Sequence, residues 1–136
     1  MIQIIIIVVL LIIAGISKSI MDTVDFHFET SIFSNIKSEQ RKLWWNQSEG
    51  WKNKYKDRDS TKGRKFPGSL TWLVFVTDAW HFFQMLLYLS LFGVATLALT
   101  ISLPISWYCY ILIFAGMKIL FSGVFELFWS KIWVKI

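Results

Sequence analysis

Apolar residues fill three long stretches of the 136-residue chain, and polar residues are gathered between the first two. The first stretch, residues 1–21, holds Ile2, the run Ile4 to Ile7, Val8, Val9 and Leu10 to Ile13, with Lys18 as its only charge. At about 1.5 Å per residue it is long enough to cross a hydrocarbon core of about 30 Å. The second, residues 67–101, opens at Pro67-Gly68, where glycine suits a turn and proline the first turn of a helix. From Phe82 to Leu103 it has no acidic or basic side chain. The third, residues 105–130, follows the short turn Ser102-Leu103-Pro104 and is interrupted by Lys118 and Glu126. The pattern predicts an all-α membrane protein with three transmembrane helices, the second and third forming a tight antiparallel hairpin. Residues 22–66 form the connecting loop and 131–136 a tail.

Composition narrows the alternatives. The chain is 55% hydrophobic, 18% aromatic and only 17% charged, with a mean hydropathy of +0.53. A soluble domain of this size lacks the interior volume to hide such a load, and disordered chains are poor in the aromatic and β-branched residues that dominate here. With Cys109 as its one cysteine, the chain can form no intrachain disulfide and no thiolate cluster by itself.

Charge sets an orientation. Residues 37–66 hold ten Lys/Arg against four acids, so the positive-inside rule makes this basic, aromatic loop cytoplasmic, and Lys131 and Lys135 agree with it. The N-terminus and the 102–104 turn then face outward from a bacterial inner membrane. Trp107, Tyr108 and Tyr110 suit the outer interface, and Trp72, Trp80, Trp129 and Trp133 the inner one. The competing reading of residues 1–21 is a cleavable signal peptide. No basic residue precedes the apolar run and no small-x-small site follows it, which favours a retained helix.

Counting along each span puts Asp22, His81 and Glu126 at about 30 Å from the outer face, with Asp25 and Asp78 one turn deeper. Membrane thickness alone brings first charges to that level. More informative is the polar stripe Thr77, Asp78, His81, Gln84 and Tyr88, which falls in one sector of the second span and should face protein. Asp78-x-x-His81 spaces a carboxylate and an imidazole one helical turn apart, as in an interhelical hydrogen-bonded pair or in a metal or proton-handling site. Lys118 and Glu126 extend this intramembrane polar network. Lys118 is expected either to snorkel along Ser122 toward Glu126 or to pair with Asp78.

Asp22, Asp25, His27 and Glu29 follow the first span, either as an extended interfacial stretch or on a continuing helix. With Asp78, His81 and Glu126, the set Asp22, Asp25 and His27 could hold a divalent metal, and its carboxylates would suit Mg²⁺, Mn²⁺ or Fe. The plainer alternative is a solvated acidic collar. In the basic loop, Trp44, Trp45, Trp51, Lys52, Lys54, Tyr55, Lys56, Arg64 and Lys65 interleave aromatics with cations, a pattern suited to membrane lipids with anionic headgroups or to a docking partner. Bound lipid is expected, and nucleic acid is not. Asn46-Gln47-Ser48 matches a glycosylation sequon, which carries no meaning in a cytoplasmic bacterial loop.

The strings Trp44-Trp45-Asn46, Gly50-Trp51-Lys52-Asn53-Lys54-Tyr55-Lys56, Phe66, Gly68-Ser69 and Phe75-x-Thr77-Asp78-Ala79-Trp80-His81 resemble an uncharacterised group of small bacterial integral membrane proteins. In that group a W-N/W-x-N-K-Y-K loop precedes a T-D-x-W-H helix. The resemblance covers about residues 21 to 88 and implies a family; it carries no activity and no site residue with it.

The function expected first is a non-enzymatic subunit or scaffold of a homo- or hetero-oligomeric membrane complex. Gly93, Ala95, Ala98, Gly116 and Gly123 would let its helices approach others closely. The alternatives are a carboxylate/histidine metal or redox site at the cytoplasmic interface, and a path for protons, ions or lipid. A path should continue outward, yet beyond Gln84 and Tyr88 the second span offers little more than Thr96 and Thr100.

Overall fold

In a computed structural model, residues 2–127 are described, with side chains as far as Val124. Among the described residues there are five α-helices: α1 (Ile2–Phe26), α2 (Glu39–Trp45), α3 (Gln47–Gly50), α4 (Ala79–Thr100) and α5 (Trp107–Leu127). Single 3₁₀ turns punctuate the segments between them, and no strand occurs among the described residues. α1, α4 and α5 are each long and apolar enough to cross a membrane, with mean hydropathies of 2.8, 1.9 and 1.6 in their most apolar windows. Spans of this length and composition are stable in lipid because a helix satisfies its backbone polar groups internally. The protein is therefore all-helical with three candidate membrane spans, as the apolar pattern predicts.

The boundaries differ from the sequence expectation in two places. α1 does not stop at Met21 but runs on to Phe26, so Asp22 and Asp25 are helical, while Phe28–Thr30 form a 3₁₀ turn and take Glu29 off the helix. The second span does not start at Pro67. Ser69 N–H donates to Phe66 C=O at 3.1 Å and Gly68 has φ +89°, so Phe66-Pro67-Gly68-Ser69 close a turn in which only the glycine tolerates the left-handed backbone. Further turns and a 3₁₀ segment at Val74–Val76 follow before α4 opens at Ala79. The expected end of the third span at residue 130, the tail 131–136, and the interfacial Trp129 and Trp133 lie outside the described residues.

Along α1 the least exposed line is Gln3, Ile7, Leu10, Ala14, Ser17, Met21 and Val24, alternating steps of four and three. That is the period of a helix seam. Most of the isoleucines and valines between these positions are exposed, as Ile4 and Ile12 illustrate.

The chain divides at residues 11/12 and 89/90 into two compact units. In the unit built from the two terminal segments, Gln3 Nε2 donates to the Tyr110 hydroxyl at 3.2 Å, and Leu10 fills the space beside Gly93. Phe92 sets its ring against Phe114 and Phe121. Thr96 and Thr100 hide their hydroxyls by donating to Phe92 C=O and Thr96 C=O, each one turn back. A short connection, 101–106, joins α4 to α5, with Leu103 N–H donating to Thr100 C=O and Cys109 N–H to Ser106 C=O.

The central unit, residues 12–89, holds the small helices. Ser38 caps α2 by accepting from Arg41 N–H, and the Asn46 side chain caps α3 by accepting from Ser48 N–H at 3.1 Å. Five rings pack together here: Phe33 stacks on Trp45 at 4.3 Å, Trp44 stands edge-on to Trp45, and Phe82 and Phe83 of α4 lie against Trp44 and Trp45. Such pairs add about 0.5–1.5 kcal/mol each beyond the area they bury. Gly50 is buried at the end of α3, where an added Cβ would lie 3.0 Å from Leu43 C=O and 3.2 Å from Asp78 Cβ. Main-chain atoms on the first side leave no room to yield. Gly50→Ala is therefore expected to destabilise the protein by about 1–3 kcal/mol, read as a lower midpoint of thermal unfolding in detergent; an unchanged midpoint would show that the contact yields.

Candidate functional site

Asp78 precedes α4 directly and is fully buried. Its Oδ1 accepts the backbone N–H of His81 at 2.9 Å, three residues on, which makes it the N-cap of the helix. His81 Nδ1 lies 2.8 Å from both carboxylate oxygens. The Thr77 hydroxyl stands 3.0 Å from Asp78 Oδ2 and 2.7 Å from Val74 C=O, and donates to one of them at a time. The cap thus holds His81 twice, through its backbone N–H and through its imidazole, whereas in a capping box the third residue's side chain reaches back to the cap's own N–H. A buried carboxylate supplied with three donors is satisfied from within its own segment.

The loop 43–77 is tied to this cap at several points. Asn53 Nδ2 donates to Thr77 C=O at 3.1 Å and to Leu43 C=O at 3.4 Å. The Trp44 indole N–H donates to Val76 C=O at 3.3 Å, and the buried Ser69 hydroxyl donates to Lys54 C=O at 2.8 Å. Between Lys54 and Lys65 the chain folds back on itself: Lys56 N–H meets Gly63 C=O, Lys65 N–H meets Lys54 C=O, and Tyr55 bridges to Arg64. At the tip, Asp57 and Arg58 both have positive φ, +52° and +59°. Non-glycine residues so placed store strain that the surrounding bonds must hold. Arg58 Nη2 donates to Glu49 C=O at 2.9 Å and to Glu49 Oε2 at 3.2 Å, and Lys52 reaches both oxygens of that carboxylate.

The Glu49 carboxyl is held below the ordinary carboxylate range, first by the Lys52 hydrogen bond and further by the charges of Lys52 and Arg58, against an opposing effect of burial. Asp59 is lowered by the Thr61 hydroxyl and backbone N–H, which both bond to it.

The candidate metal residues stay apart. Asp22 is paired with Lys18 on α1. Asp25, His27 and Glu29 line an open hollow with Asn46 and Ser48. Asp78 and His81 bond each other, and the side chain of Glu126 lies outside the described part. Among the described residues no three of His, Cys, Asp and Glu form a group able to hold a metal ion. In the expected polar network, Thr77, Asp78 and His81 do connect, but Thr77 and Asp78 precede the helix instead of sharing its face. Gln84 and Tyr88 are half-buried on α4. Lys118 meets the first of its expected partners, donating to the Ser122 hydroxyl at 2.8 Å.

The expected headgroup residues divide in two. Trp44 and Trp45 are half-buried in the aromatic cluster, while Lys56, Arg64 and Lys65 are exposed. Trp51 is exposed and lies under Lys52, and Tyr55 lies under Lys54. The sequence reading missed Gly50, Asn53, Arg58 and Ser69 as positioning residues. Their presence in or beside the W-N…G-W-K-N-K-Y-K and G-S strings was the available signal.

Comparison with protein-family models, curated proteins and solved structures finds no match for the chain. What the fold defines is the class: a protein whose described residues are helical, with three helices long and apolar enough to cross a membrane and a polar, hydrogen-bonded segment between the first and second.

Asp78 and His81 act as one unit, so Asp78→Ala, His81→Ala and the double substitution should be non-additive in stability, with a coupling of about 0.5–3 kcal/mol; additive losses in chemical unfolding would show that cap and imidazole do not act together. Because the Glu49 carboxyl is depressed in the folded state, its contribution is full above the ordinary carboxylate range and is lost as pH falls through the depressed value. The stability gap between wild type and Glu49→Gln should thus be present at neutral pH and close as pH falls below the ordinary carboxylate range; a gap that widened on acidification would reverse the sign.

Proposed function

We propose that the protein is a small integral component of a bacterial inner membrane that acts as a non-enzymatic subunit or scaffold in a homo- or hetero-oligomeric membrane complex. The observation that carries this reading is the state of Asp78. It is the only fully buried ionisable side chain among the described residues, and its oxygens are taken up by Thr77 and His81 in a helix cap. Polar groups arranged this way hold a fold together. The helices, in contrast, are open: none of the most apolar window of α5 is buried within the chain, and an added Cβ at Gly116 or Gly123 would meet nothing within 4 Å. Lipid covers most of such a surface, and small residues on it let another helix come close.

In this reading α4 and α5 form an antiparallel hairpin, supported by the short 101–106 connection and the Phe92 contacts with Phe114 and Phe121. The basic excess in 37–66 supports a cytoplasmic connection and C-terminal tail, with the N-terminus and the 102–104 turn outside. Bound lipid and anionic headgroups are the immediate partners. A metal or redox function has no gathered donor set among the described residues to support it.

Native mass and metal content, measured together on the full chain in mild detergent or nanodiscs, test the reading. The expected particle is a multiple of the 16.0 kDa chain or contains a co-purifying membrane protein. A single-chain particle, with no partner trapped by cross-linking in the membrane, would overturn it. Stoichiometric metal lost on His81→Ala would move the function to a carboxylate–histidine site.

A further inference from the structure

The central unit contains a cavity of about 250 Å³ whose walls include Gln40, Trp44, Asn53, Arg58, Lys65 and Phe66. Two cations line it and no carboxylate does. Two of its neutral donors are already used: the Trp44 indole donates to Val76 C=O, and the Asn53 amide donates to Leu43 C=O and Thr77 C=O. Arg58 is used only in part. Arg58 Nε is buried without an acceptor, although Nη2 of the same guanidinium is bonded to Glu49. A buried N–H in a native fold is normally paired, so an orphan on a pocket wall marks the place where an acceptor is wanted. The loop tip holds Arg58 there at the expense of two consecutive positive-φ residues. Backbone strain of that kind persists where a side chain must be kept in a set position.

The geometry points to a binding site for a phosphoryl group, with the Arg58 guanidinium and the Lys65 ammonium as its two cationic contacts and Trp44 and Phe66 flanking the organic moiety that bears it. A planar guanidinium beside a mobile ammonium suits an anion with several acceptor oxygens better than it suits a carboxylate, whose two oxygens a guanidinium alone can satisfy. The volume accommodates a phosphate with a small polyol. The phosphoryl group has two sources, the headgroup of an anionic phospholipid or a soluble phosphate ester. The lipid source rests on the reading of the 37–66 segment as lying on the inner membrane face; the soluble source does not.

The test uses the full chain in nanodiscs. In discs of neutral phosphatidylcholine, inorganic phosphate and glycerol 1-phosphate are titrated by calorimetry; in mixed discs, retention of phosphatidylglycerol over phosphatidylcholine is read by native mass spectrometry. Saturable binding in the first arm assigns a soluble ester, and selective retention in the second alone assigns the headgroup; either supports the site. Lys65→Gln, at an exposed side chain, and Arg58→Gln should each weaken binding about tenfold or more, whereas Lys37→Gln, an exposed cation of the same segment outside the cavity, should leave it within about twofold. The proposal is overturned if wild type binds neither probe, or if Lys37→Gln weakens binding as much as Lys65→Gln does. Particle mass is read on the same discs, so loss of the ligand and loss of assembly are separate outcomes.

Discussion

A buried carboxylate has to be neutralised or surrounded by donors, and the central unit is organised around how Asp78 meets that requirement. Its side chain caps α4, receives the His81 imidazole and lies beside the Thr77 hydroxyl, so the first turn of a long apolar helix is fixed by three polar contacts. The preceding carbonyls are then presented at set positions. Val76 C=O takes the Trp44 indole and Thr77 C=O takes the Asn53 amide. Gly50 can sit against Asp78 only because it has no side chain. One helix cap thereby sets where the loop's α2 and α3 are held.

The bilayer imposes the complementary constraint. In water, α1 would be an unstable object, since most of its isoleucines and valines are exposed. In lipid they are solvated, and what needs explaining is the narrow line that is not exposed. That line follows a seven-residue repeat and is built of small or polar residues as well as apolar ones: Gln3, Ala14 and Ser17 alternate with Ile7, Leu10, Met21 and Val24. Without a hydrophobic force between helices in lipid, close packing and an occasional hydrogen bond such as Gln3 to Tyr110 supply the association.

The polar segment between α1 and α4 solves a different problem. It is too basic and too short of apolar residues to form a core of the soluble kind, and it relies on a cluster of five rings, two of them from α4, and on main-chain carbonyls claimed by side chains. The cations gather where that framework leaves them: Lys52 and Arg58 converge on Glu49, while Lys56, Arg64 and Lys65 stay in solvent. Strain at Asp57 and Arg58 is held in place by the Lys54–Lys65 and Lys56–Gly63 pairing on either side.

Three spans, an all-helical fold and the position of the polar segment could be read from residue order alone, because the hydropathy of twenty consecutive residues decides whether a helix can sit in lipid without help from elsewhere. The Asp78-x-x-His81 spacing pointed to a hydrogen-bonded pair expected between helices, and the pair forms instead within one segment at the cap of α4, while the reach of Lys118 to Ser122 was legible because the two lie one turn apart on α5. Residues farther apart were not legible in this way. Pro67-Gly68 looked like a helix start and is a turn, because the cap that begins α4 lies at Asp78. Trp44 and Trp45 looked like interfacial anchors and are half-buried against Phe82 and Phe83, rings nearly forty positions away. Asn53, Gly50 and Arg58 acquire their roles from carbonyls and carboxylates that only folding brings near. Local spacing and hydropathy are properties of the chain itself; which donor meets which acceptor across a loop is decided by the packing that closes it.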